Sequence, residues 1–133
     1  MNQKCHLIIG STGFIGSSLC KKFKNKENLF TISIDNKVKK ENSRNHYKVD
    51  IKNFKKLSSI IKRLNFKYNK IIVYFLAGES SVERSISKPF ISINDSIIQF
   101  HNLAFLLRDH NSIIVFASSG SIYDSRKGSY FNE

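Results

Sequence analysis

The chain of 133 residues has no tryptophan, one proline, two cysteines, and ten acidic side chains against 22 basic ones. One proline leaves nothing for a Pro-rich linker or recognition segment. Cys5 and Cys20 cannot build a disulfide framework, and neither has a metal-ligating neighbour at short spacing, so a reducing compartment fits best. His6, His46, His101 and His110 lie far apart in sequence, and no metal site is expected. No stretch approaches the roughly 20 apolar residues of a membrane span. The opening residues are polar and precede an apolar run too short for a secretory signal. The expectation is a cytoplasmic protein without membrane contact. Ser–His–Asp hydrolysis lacks its nucleophile elbow.

What is present suits a packed core. Hydrophobic residues make up 41% of the chain, with 11 Phe and 5 Tyr. The length matches one domain, residues 1–133. The net charge is +12, and it is uneven: residues 1–66 carry fifteen Lys/Arg against four Asp/Glu, residues 67–133 seven against six. A basic half invites a nucleic-acid reading. Seventeen of the 22 cations are Lys, however, and they are dispersed without the interleaved aromatics of a base-stacking platform. Nucleic acid is therefore not the expected partner.

The hydrophobic periodicity alternates between strand and helix. Residues 5–10 read CHLIIG, a buried strand closed by glycine. Phe14, Ile15, Leu19 and Phe23 recur at roughly helical spacing, and Lys21, Lys22, Lys24 and Lys26 follow where cations suit the helix dipole. Residues 30–35 alternate as a strand, and residues 46–50 form a short one. Residues 53–65 put Phe54, Leu57, Ile60, Ile61 and Leu64 on one helical face. Residues 70–76 and 112–117 are continuous apolar strands, and residues 94–108 are a helix between them. The pattern predicts an α/β fold, a three-layer Rossmann-type parallel sheet.

The sequence Gly10-Ser11-Thr12-Gly13-Phe14-Ile15-Gly16 follows the first strand and opens the first helix. That context turns a G-x-x-G-x-x-G pattern into a dinucleotide loop. Gly10 permits the tight turn, Gly13 lets backbone approach a pyrophosphate, and Gly16 lets the helix pack close to the sheet. The helix N-terminus offers amides and a positive dipole end to the phosphates. Asp35 ends the second strand, nineteen residues after Gly16, where a carboxylate accepts hydrogen bonds from the adenosine ribose. It would repel a 2′-phosphate, so NAD is expected rather than NADP. Lys37, Lys39 and Lys40 lie nearby and weigh the other way.

At this point the chain resembles the extended short-chain dehydrogenase/reductase family, the nucleotide-sugar epimerases, dehydratases and reductases. The resemblance rests on GSTGFIGSSL at 10–19, Asp50-Ile51, Leu76-Ala77-Gly78, Pro89 ahead of the central helix, and FASSGSIY at 116–123. It implies that Gly10, Gly13, Phe14, Ile15 and Gly16 form the pyrophosphate loop and that Asp35 is the ribose acid. Asp50 and Ile51 would contact the adenine side, and Leu76, Ala77 and Gly78 would line the cofactor. Ser119, adjacent to Ser118, matches the catalytic Ser/Thr that hydrogen-bonds the sugar. The implied chemistry is hydride exchange between NAD and a nucleotide-linked sugar.

Two departures from the family pattern stand out. An Asn usual about six residues after the Pro falls on Asp95 here, with Asn94 one residue earlier. The family's Tyr and Lys, four residues apart on the helix after the fifth strand, would begin near position 144. Tyr130 lies nearer to Ser119, and Tyr123 belongs to the strand-end turn; neither fits the catalytic place. The expectation is an N-terminal portion, truncated before that helix, whose sheet is incomplete at its C-terminal side with residues 112–117 as an exposed apolar edge. On this reading it binds NAD weakly without turnover, and a homodimer needs the absent helix. A non-catalytic dinucleotide-binding module is the alternative.

Overall fold

The computed structural model describes residues 4–24, 30–35, 46–78 and 80–118. Five parallel strands form one sheet: β1 (Lys4–Ile9), β2 (Phe30–Asp35), β3 (His46–Lys48), β4 (Lys70–Phe75) and β5 (Ser112–Phe116). Their order is β3-β2-β1-β4-β5. The chain leaves β1 toward β2, then returns to lay β4 on the other side of β1. At such a reversal the connections leaving neighbouring strands diverge, and a crevice opens beyond the strands' carboxyl ends.

Side chains alternate across the sheet. Cys5, Leu7 and Ile9 of β1, Ile34 of β2, and Ile71, Val73 and Phe75 of β4 face one way. They form a core with Leu57, Ile60, Ile61 and Leu64 of α2 (Phe54–Lys67) and Leu103 and Leu107 of α5 (Gln99–Leu107). Asn53 caps α2, its side chain accepting the Lys56 amide at 3.0 Å. Burial pushes the Cys5 thiol up to about 12. The opposite face receives α1 (Phe14–Lys24), whose Phe23 ring packs against His6 and Tyr74 at centroid distances of 5.0 and 5.5 Å. The three-layer arrangement is the one the periodicity predicts.

Several details differ from the sequence expectation. Helix α1 packs through Gly16 and Phe23, while Phe14 and Ile15 are exposed; the first turn projects beyond the sheet. Strand β4 is fully buried only through alternate residues, because Ile72 and Tyr74 lie on the face that α1 covers in part. Strand β5, by contrast, is the apolar edge the sequence predicts: it pairs with β4 alone among the described residues, and Ile113, Val115 and Phe116 are about half exposed. The helix expected over 94–108 starts earlier and is not uniform. After α3 (Val82–Ser87), α4 (Pro89–Ile93) begins with proline at its first turn, a π-helical turn spans Asn94–Ile98, and α5 continues. The π turn rotates the register, exposing Ile97 and Ile98 and burying Gln99.

Candidate functional site

The crevice at the strand-order reversal is a cleft of about 590 Å³, a size that suits a bound small molecule. Its floor is the junction of β1 and β4. The Leu76 amide donates to the Ile9 carbonyl at 2.9 Å, and the Gly10 amide donates to the Ile34 carbonyl at 3.0 Å. The turn leaving β1 is therefore tied to both neighbours. Gly10 has φ +85°, and a Cβ there would stand 2.8 Å from the Leu76 carbonyl. At Gly16 a Cβ would overlap the Gly10 carbonyl oxygen. Both residues are glycine because the protein itself leaves no room.

Gly13 differs. Its φ is not left-handed, and the nearest protein atom to an added Cβ would be the Gly10 carbonyl oxygen at 3.3 Å. Gly13 lines the cleft. Among the described residues, the protein constrains this position less than Gly10 or Gly16. The first-turn amides of α1 lack intrahelical acceptors and add the positive end of the helix dipole.

On the β2 side, Asp35 lines the cleft and its Oδ2 accepts from the Thr12 amide at 2.9 Å and the Thr12 hydroxyl at 2.8 Å. Its charge reaches Cys20 on α1, whose thiol is pushed up first by burial and then by Asp35. Beyond β3, Asp50 Oδ1 accepts the Lys52 amide at 2.9 Å, closing a turn that presents Asp50, Ile51 and Lys52 to the cleft. Across it, Asp95 of the π turn pairs with Lys52 and accepts from the Gln99 side chain at 3.5 Å. Leu76, Ala77 and Gly78 complete the wall between the two.

The structure thus gathers Gly10, Gly13, Asp35, Asp50, Ile51, Leu76, Ala77 and Gly78 around one cleft. Gly16 supports the loop from behind, and Phe14 and Ile15 are exposed and not among the lining residues. Asp95, rather than Asn94, reaches the cleft. Ser119, Tyr123, Tyr130, Lys37, Lys39 and Lys40 lie outside the described residues. Sequence reasoning missed Thr12, Lys52, Ser80, Arg84 and Gln99 as lining residues. Gln99 had a signal, a polar side chain inside an apolar helix pattern; Lys52 and Arg84 had none.

The family model of the NAD dependent epimerase/dehydratase family matches residues 6–133. The chain belongs to that family. It is similar to Protein CapI of Staphylococcus aureus, 30% identical over 95% of this chain and 41% of that protein. It is also similar to the UDP-glucuronate 4-epimerase of Thermodesulfobacterium geofontis, 28% identical over 89% of this chain and 40% of that protein. Among solved structures, the Thermus thermophilus UDP-glucose 4-epimerase in complex with NAD superposes with a TM-score of 0.77 at 20% identity, covering 98% of this chain and 42% of that one. The chain spans about two-fifths of the length of these relatives. Among the described residues, no helix is long and apolar enough to cross a membrane, and no group of three or more His, Cys, Asp or Glu could hold a metal ion.

Proposed function

We propose that this chain is the NAD-binding portion of an oxidoreductase that epimerises or dehydrates a nucleotide-linked sugar. The observation that carries the reading is Gly13, a glycine the fold constrains less than Gly10 or Gly16, at the lip of a cleft between a helix N-terminus and a carboxylate. The cleft's own residues fit a dinucleotide. Loop backbone and the first turn of α1 face a pyrophosphate. Asp35 accepts from ribose hydroxyls and opposes a 2′-phosphate, which favours NAD over NADP. Asp50 and Ile51 flank the adenine side, and Leu76, Ala77 and Gly78 line the path toward the nicotinamide. NAD, when bound, would supply the hydride acceptor and donor for the sugar.

Ser119 is the proposed hydrogen-bonding partner of the reacting sugar hydroxyl. The one Tyr-x-x-x-Lys spacing in the chain, Tyr123 to Lys127, starts four residues after Ser119 instead of about twenty-five. We assign none of these 133 residues to the acid/base pair. The names of the relatives, among them a UDP-glucuronate 4-epimerase, support a nucleotide sugar as substrate class. The test is titration of the 133-residue chain with NADH, followed by fluorescence, and a hydride-transfer assay with several nucleotide sugars. Saturable NADH binding without turnover is the expected result. Failure to bind, or turnover that depends on Ser119 within these 133 residues, contradicts the assignment.

A further inference from the structure

We infer that Thr12 is a positioning residue: it holds the Asp35 carboxylate in the cleft and thereby sets the preference for a ribose with a free 2′-hydroxyl over one with a 2′-phosphate. The inference rests on the reading that the cleft takes a dinucleotide.

Thr12 places two donors, its amide at 2.9 Å and its hydroxyl at 2.8 Å, on the same oxygen, Asp35 Oδ2. Both residues line the cleft. Two donors use the two lone pairs of that oxygen, and hydrogen bonds to a carboxylate are among the stronger ones. The backbone of Asp35 is held independently, because its carbonyl accepts the Val49 amide at 3.0 Å at the end of the β2–β3 ladder. With the backbone fixed and one oxygen pinned, the carboxylate has one orientation. Thr12 is itself stiff, being β-branched and seated on the turn that Gly10 and Gly13 close through a 3.2 Å hydrogen bond.

A ribose 2′-phosphate entering here forces the carboxylate to turn away, which breaks both contacts with Thr12. The contact therefore does more than stabilise a loop: it makes yielding to a phosphate costly. It also commits the Thr12 amide to Asp35, so contact with the pyrophosphate falls to Gly13 and the first turn of α1.

The test compares NADH and NADPH titrations of the wild-type chain with those of Thr12→Val, Thr12→Ser, Asp35→Ala and the Thr12→Val/Asp35→Ala double variant. Thr12→Val keeps the shape and the amide but loses the hydroxyl. It is expected to weaken NADH about threefold to tenfold and to leave NADPH within about twofold, lowering the preference accordingly. Thr12→Ser retains the wild-type preference, and Thr12→Val has no further effect once Asp35 is alanine. In the ligand-free protein, the Thr12 amide proton resonance moves upfield in Asp35→Ala. Equal weakening of both dinucleotides by Thr12→Val, persistence of its effect in the Asp35→Ala background, or an unmoved amide resonance overturns the inference. A wild-type chain that binds neither dinucleotide overturns the cofactor reading itself, and that result is visible before any variant is made.

Discussion

The turn between β1 and α1 and the helical run after β4 form opposite walls of the same cleft, and they are built by different rules. In the turn, backbone touches backbone: Gly10 meets the Leu76 carbonyl, Gly16 meets the Gly10 carbonyl, and at both positions glycine is the single steric answer. In the run from Pro89 to Leu107, side chains decide. Leu103 and Leu107 enter the core, a π turn interrupts the helix, and the ion pair of Lys52 with Asp95 ties it to the β3 side. Constraint by backbone contact leaves its mark as glycines at fixed spacing. Constraint by packing leaves an apolar pattern that more than one register satisfies.

The largest expected effect sits in the turn. Gly16→Ala drives a Cβ into the Gly10 carbonyl and is expected to destabilise the chain by roughly 3 kcal/mol or more, read as loss of the cooperative unfolding transition or a much lower denaturation midpoint. A near-wild-type midpoint would mean that α1 can move off the sheet freely, and the contrast between the two walls would vanish.

This difference also explains how much was readable beforehand. The parallel sheet, its three layers, and the placement of Gly10, Gly13, Asp35, Asp50 and Leu76–Gly78 around one cleft were legible because strand ends, glycines and an acid fall in a fixed order. The exposure of Phe14 was not, since a period of apolar residues cannot tell a helix turn that overhangs the sheet from one that packs on it. The π turn was not legible either. It turns Gln99 inward and leaves Ile97 and Ile98 outside, an outcome that helix propensity and hydrophobicity alone disfavour. The Lys52–Asp95 bridge joins residues 43 apart with no shared pattern, so only the folded chain brings it into view.

Within the helical run the two kinds of apolar residue separate sharply. Leu103→Ala removes a fully buried side chain and is expected to cost about 2–5 kcal/mol in denaturant unfolding. Ile97→Ser, at an exposed position of the π turn, is expected to stay within about 0.5 kcal/mol of wild type. A large loss at Ile97 would assign that face a packing role within the chain.

An effect confined to alkaline pH is a slope from the core strand that carries the turn. The Cys5 thiol is neutral in the folded chain and pushed up to about 12 by burial, against an ordinary value near 9.0. A raised value means that its contribution to stability is fully present below the ordinary value and is lost as pH climbs from there toward about 12. Cys5→Ala is therefore expected to lower stability at neutral pH yet to flatten the decline above pH 9, measured as the change in midpoint with pH. An unchanged slope would place the thiol in contact with water.

The most direct test of the central claim is Gly13→Ala, measured both for unfolding and for NADH binding. The account predicts a stable fold, within about 1 kcal/mol of wild type, because among the described residues the new methyl group meets only the Gly10 carbonyl oxygen, at 3.3 Å, a contact relieved by a small shift of that carbonyl. It predicts NADH affinity lower by about tenfold or more, because the methyl group stands where the dinucleotide backbone approaches the loop. Wild-type NADH affinity in a folded Gly13→Ala chain would contradict it.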